Sequence, residues 1–205
     1  MGHRFAELAF TPRVKALQER YGSRSSYARM ENGDVRNGQL GPSEADFIAE
    51  RDSFYMATVS ESGWPYIQHR GGPQGFVRVL DQTTLGFADF RGNRQYVSVG
   101  NLATSDRVAM FFMDYPNRTR LKLLGRVTIV DSPEGETISR LVAPGYQAVV
   151  ERGLLITVEA FDWNCPQHIT PRFTLDDVEQ ASAALHQRIA ELEGEVARLL
   201  DGRLG

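Results

Sequence analysis

The chain has 205 residues, 41% of them hydrophobic and 24% charged, with a formal net charge of −3. That is the make-up of an ordinary globular protein with one well-buried core and at most some appendages. It carries no overall basic field to recruit nucleic acid or an anionic membrane. Its single cysteine, Cys165, excludes an internal disulfide and a cysteine-rich zinc site.

The opening MGHRFAEL is charged early and lacks the apolar core of a signal peptide, and no apolar run approaches the ~18 residues of a membrane span. A soluble cytoplasmic protein is the expectation. Thr11-Pro12 reads as an N-cap followed by proline at the first helical position, with Val14, Leu17 and Tyr21 at helical spacing and Gly22 as the stop. Residues 23–41 are polar and aperiodic, and read as an extended arm or loop. Ser43-Glu44-Ala45-Asp46 has the form of a capping box, opening a short helix that runs to about Arg51.

A β-rich section follows. Phe54–Ser60 and Trp64–Arg70 form a hairpin around Glu61-Ser62-Gly63, Phe76–Leu80 is a further strand, and Thr84–Asp89 another. Arg91-Gly92-Asn93 interrupts the sheet ahead of a helix expected over Arg94–Leu102. Val108–Asp114 is apolar enough to be buried on both faces. Arg120–Val130 is a long strand with Gly125 as a bulge, Pro133–Leu141 a short helix and Leu154–Phe161 the closing strand. Several short strands in succession argue for a closed barrel or a sandwich. Thr174-x-x-Asp177 then caps a helix whose apolar residues Leu185, Ile189, Leu192, Val196 and Leu199 alternate steps of four and three, a heptad seam. It suits either packing on its own barrel or pairing across a dimer.

Three arginines stand at turns: Arg70 before Gly71-Gly72, Arg94 after Gly92-Asn93, and Arg120 after a tight hairpin. Converging beside a helix N-terminus they would clamp a phosphomonoester, although each alone equally suits a solvated turn. Downstream of the last strand, Trp163, Cys165, Gln167 and His168 cluster where a barrel mouth would be. Gln167 or His168 there is a candidate for contact with a ligand. Nucleophilic catalysis by Cys165 with His168 lacks a third group, and a buried thiol and a packed indole are the plainer roles for Cys165 and Trp163. Rossmann, Walker, H-E-x-x-H and G-x-S-x-G signatures do not occur.

The segment Phe87–Val127 (FADFRGNRQYVSVGNLATSDRVAMFFMDYPNRTRLKLLGRV) resembles the pyridoxamine 5′-phosphate oxidase-like family, whose members fold as FMN-binding split β-barrels. The resemblance covers about residues 45–165. It implies a mainly β fold: a six- to seven-stranded antiparallel split barrel with peripheral helices, spanning residues 43–170. An N-terminal helix and arm (1–42) and a C-terminal amphipathic assembly helix (171–205) flank it.

By this resemblance FMN is the cofactor, bound at the subunit interface of a homodimer. Gly92-Asn93-Arg94-Gln95 stands at the family's G-S-R-K-type turn, so Arg94 maps onto the phosphate-binding arginine, and Gln95 replaces a lysine. Ala88 and Asp89 lie where the family passes small side chains along the flavin. Ile67–Gly72 is the counterpart of the basic strand beside the ring, with Gln68 and Arg70 expected on one face and His69 on the other. Arg120 or Lys122 would reach the flavin of the neighbouring subunit. His168 doubles as a candidate haem ligand, because some relatives bind haem.

The implied activity is an FMN-dependent oxidoreductase acting on a small molecule with a small-molecule electron donor. Alternatives on the same barrel are a non-catalytic flavin or haem carrier or sensor, and a deazaflavin-dependent reductase. A true pyridoxamine-phosphate oxidase is disfavoured, since Arg172 is the only arginine between the last strand and the acidic terminal helix.

Overall fold

A computed structural model describes residues 3–32, 37–163 and 166–201. The chain divides into two compact units, one comprising 1–114 and 119–166, the other 115–118 and 167–205. No helix among the described residues is long and apolar enough to cross a membrane.

The first unit opens with α1 (Arg4–Ala9), α2 (Pro12–Arg20) and α3 (Arg24–Glu31). Thr11 caps α2 as the sequence implies, its Oγ1 accepting the Val14 N–H at 3.4 Å. The extended arm expected over 23–41 is instead helical at 24–31. Tertiary partners hold α3 where its own periodicity is weak. Arg24 donates to Gln18 of α2 at 2.8 Å, Lys15 of α2 lies 3.0 Å from the Glu31 carboxylate, and Tyr27 meets Phe10 edge-on.

Helix α4 (Pro42–Ala49) begins earlier than the expected Ser43–Asp46 box. Gly41 is the N-cap, and its N–H donates to Glu44 Oε2 at 2.9 Å. Glu44 Oε1 accepts the Trp163 indole N–H at 2.8 Å, which pins the start of α4 to the end of the last strand.

Seven antiparallel strands form one sheet in the order β2-β1-β5-β6-β7-β4-β3. They are β1 (Ser53–Val59), β2 (Pro65–Gly71), β3 (Arg78–Asp81), β4 (Thr84–Phe90), β5 (Arg107–Asp114), β6 (Thr119–Val130) and β7 (Val150–Trp163), with α5 (Val97–Thr104) and α6 (Glu136–Leu141) between them. The sheet curls until strands far apart in that order touch. Phe54 of β1 stacks on Phe76 and on Phe112 of β5, and meets Phe87 of β4 edge-on at 5.2 Å. Arg70 of β2 is ion-paired with Asp89 of β4 across the opening. This is the split barrel, closed by side chains where the backbone ladder stops.

The long β6 and β7 bend around the core through the bulge at Leu124/Gly125. A Cβ at Gly125 would fall 2.7 Å from the Thr157 carbonyl oxygen, so only glycine fits there. The strand expected to be buried on both faces, β5, is buried on one. Val108, Met110, Phe112 and Asp114 point inward, while Ala109 is exposed and Phe111 and Met113 are half-buried.

In the second unit, α7 (Leu175–Asp201) carries the expected cap. Asp177 Oδ2 accepts from the Thr174 N–H and Oγ1–H, both at 2.8 Å, and Thr174 Oγ1 accepts the Asp177 N–H at 3.1 Å. In the same unit the Arg172 guanidinium lies 4.8 Å from the centre of the Tyr115 ring.

Candidate functional site

A cleft of about 320 Å³ opens between the edge strand β2, the end of β4, the turn that follows it and the start of α5. Pleating selects its β2 wall. Tyr66, Gln68 and Arg70 are half-buried on the inner face, whereas Ile67 and His69 face outward. Gln68 Oε1 accepts the Ser98 Oγ–H at 2.7 Å, which ties β2 to the first turn of α5. Behind it the buried Asn101 donates to Thr58 Oγ1 at 2.9 Å and fixes the helix on β1.

The turn between β4 and α5 is shaped by two left-handed residues, Arg94 (φ 62°) and Tyr96 (φ 54°). Such a φ is costly for a residue with a Cβ, by about 1 kcal/mol or more. It also ends any helix, which is why α5 starts at Val97 rather than at the expected Arg94. Asn93 Oδ1 accepts the Gln95 N–H at 3.2 Å, an Asx turn that helps hold the loop. Tyr96 caps α5 without a side-chain hydrogen bond, and Val97, Ser98 and Val99 of the first turn line the cleft.

Two carboxylates anchor the basic groups. Asp89, buried at the end of β4, pairs with Arg70 and lies 3.4 Å from Nε of Arg152, its cross-strand neighbour on β7. Glu151 takes Arg91 Nε at 3.1 Å, the Tyr96 hydroxyl at 3.2 Å and, through its other oxygen, Arg152 Nη2 at 3.1 Å. Partial burial raises the Glu151 carboxyl, but those hydrogen bonds outweigh it and hold its pKa below the ordinary glutamate range. Arg94 differs from the other three guanidiniums. Its Nε donates to the neutral Tyr96 hydroxyl at 3.0 Å, and that bond together with nearby Glu151 raises its pKa further. Arg70, Arg91 and Arg152 each meet a carboxylate, Arg152 with Asp131 3.9 Å from its Nη1 as well, whereas Arg94 contacts none among the described residues.

Of the residues singled out in the sequence, Gln68, Arg70, Asp89, Asn93, Arg94 and Gln95 line this one cleft. Ala88 and His69 belong to a smaller recess of about 150 Å³ that runs past Arg70. The His69 ring packs edge-on against Tyr55 on the outer face. Arg120 is elsewhere on the sheet, its guanidinium 5.7 Å from the Phe111 ring, and Lys122 is paired with Asp162 at 2.8 Å. Gln167 and His168 fall in the second unit, while the cleft is built from the first. Cys165 lies outside the described residues, and Trp163 is the packed indole bound to Glu44. The sequence reading missed Tyr96, Ser98, Glu151 and Arg152. The last two fell outside because the closing strand was started at Leu154, four residues late. The adjacent Glu151-Arg152 pair just ahead of the apolar run was the available signal.

Fold and cleft together define a class: an antiparallel split barrel with an arginine-bearing cleft at a helix N-terminus. The family model for pyridoxamine 5′-phosphate oxidase matches residues 40–158. That is more than half of the chain, which therefore belongs to the pyridoxamine 5′-phosphate oxidase family, as a divergent member. No curated protein matches it.

Among solved structures, HupZ of Group A Streptococcus is 18% identical, with a TM-score of 0.50 over 65% of this chain and 99% of its own. An FMN-binding protein from Syntrophomonas wolfei is 12% identical, with a TM-score of 0.47 over 74% of this chain and 97% of its own. An F420 reductase is 22% identical, with a TM-score of 0.43 over 60% of this chain and 98% of its own. At these identities the likeness is one of fold alone.

Proposed function

We propose that the chain binds FMN in the β2/β4/α5 cleft and acts as an oxidoreductase on a small molecule. One observation carries this reading. Arg94, its charge unpaired by any contacting carboxylate among the described residues, stands beside the side-chain-uncapped N-terminus of α5, the arrangement that a phosphomonoester takes. The cleft volume is at the lower end of ligand-site sizes. Arg94 and the first amides of α5 would hold the phosphate. Gln68 and the recess along Ala88 would line the rest of the cofactor. Arg70 contributes through Asp89 as part of the wall rather than as a free clamp. Bound FMN supplies the hydride or electron transfer, and the protein supplies orientation and electrostatics.

The partner in this reading is a second copy. Ile67 is 65% exposed and lies on the same outer face as the half-buried Tyr55, Phe111 and Met113. An apolar face of this kind suits a homodimer, in which Arg120 of one copy approaches the cleft of the other.

The test is the visible spectrum of the freshly purified protein, followed by titration with FMN before and after Arg94→Ala. A flavin spectrum, or tight binding of added FMN weakened by the substitution, supports the reading. A colourless protein that ignores FMN overturns it. Bound FMN that neither a nicotinamide nor a deazaflavin donor reduces would leave a carrier rather than an enzyme.

A further inference from the structure

Helix α7 has 27 residues and lies wholly beyond the part of the chain that the family model matches. The helix begins at Leu175, which extends the apolar seam one and a half heptads towards the N-terminus. One set of seam positions, seven residues apart, is Leu175, Ser182, Ile189 and Val196. The other is Val178, Leu185, Leu192 and Leu199. Seven of these eight are apolar and all seven are exposed, Leu185 by 67% and Val196 by 54%. A stripe of this length facing solvent requires a partner, and its period of 3.5 residues is that of a helix partner.

We propose that α7 pairs in parallel and in register with α7 of a second copy, as a two-stranded coiled coil. Three observations select that occupant. In the central heptads the first set holds the β-branched Ile189 and Val196 and the second holds leucine throughout, the distribution that favours two parallel strands. The flanking charges agree, since in that register Arg188 of one helix faces Glu193 of the other in both directions. The exposed apolar surface lined by Ile189, Leu192, Glu193, Val196 and Ala197 contains the four positions, 189, 192, 193 and 196, between which a leucine knob from a parallel partner would sit. The inference is independent of flavin binding.

Cysteine cross-linking of the full-length chain tests it, in a Cys165→Ser background with far-UV circular dichroism as the check on folding. Leu185→Cys and Leu199→Cys are introduced separately, with Gln187→Cys on the opposite face of the helix as the control. A parallel in-register pair places each seam cysteine beside its own copy. Mild oxidation then turns most of the chain into disulfide-linked dimer for both seam variants and little of it for the control. In an antiparallel pair residues 185 and 199, about 21 Å apart along the axis, cannot both meet their own copies, so linkage at one or neither overturns the parallel register. Absence of linkage at both, as in an antiparallel pair centred elsewhere or when α7 packs on its own barrel or binds a different protein, likewise overturns the proposal. Equal linkage of the control does the same.

Discussion

Arg94 owes its place to a backbone that most residues avoid. With both Arg94 and Tyr96 left-handed, the turn stops short of becoming helix and leaves the guanidinium on a neutral hydroxyl rather than a carboxylate. Arg94→Ala is expected to weaken FMN binding about ten- to a hundredfold, the loss of one charge-assisted hydrogen bond, as read by fluorescence titration. Unchanged affinity would mean that the phosphate sits elsewhere. Asp89 plays the opposite part. It is buried between Arg70 and Arg152, so Asp89→Ala strands the mostly buried Arg70, while Arg152 keeps Glu151. Breaking such a pair costs about 3 kcal/mol or more, and chemical denaturation should show that loss even without cofactor. An unaltered midpoint would place the Arg70 pair outside the forces that close the barrel.

At the scale of elements, the bulge in β6 and the cap of α7 make separable predictions. Gly125→Ala forces a methyl against the Ile156 side chain and the Thr157 carbonyl. Overpacking of this kind costs about 1–3 kcal/mol, so the thermal midpoint should fall while the far-UV spectrum is kept. At the other end of the chain, hydrogen bonds from the Thr174 N–H and hydroxyl lower the Asp177 pKa below the usual aspartate value. A carboxylate depressed on folding stabilises above its unfolded pKa and loses that contribution as pH falls through the lower, folded value. Helicity of α7 should therefore drop on acidification below about pH 4. In Asp177→Asn it should be lower at neutral pH and respond less to acid over that window. Identical titrations of the two proteins would remove the cap from the account.

For the whole molecule, the core decides which parts stand alone. Every member of the buried cluster lies between Leu40 and Phe161. Deleting residues 176–205 should thus leave a cooperatively unfolding barrel of unchanged midpoint, measured by calorimetry. Collapse of the transition would make α7 part of the folding unit. The inner faces of the strands were legible because a half-buried strand must alternate. The Gly125 bulge and the Thr174–Asp177 cap were legible because their chemistry is local. The helix at 24–31 was not, since Lys15–Glu31, Gln18–Arg24 and Phe10–Tyr27 hold it through contacts with preceding segments that no local pattern encodes. The single-sided burial of β5 escaped notice because an apolar strand reads alike whether its outer face meets the core or a partner.

The sequence by itself determined the strand succession, the arginine-bearing turn that carries the family resemblance, and the heptad seam, all of which depend on neighbours a few residues apart. Only the tertiary structure decided which charges meet. It joined Arg70 to Asp89. It brought Glu151 and Arg152 beneath the cleft, put Arg120 on the outer face, and left Arg94 as the cation with least compensation. The first follows from how the sheet curls, and the second from the pairing of β4 with β7, which brings together residues as distant in sequence as Arg91 and Glu151.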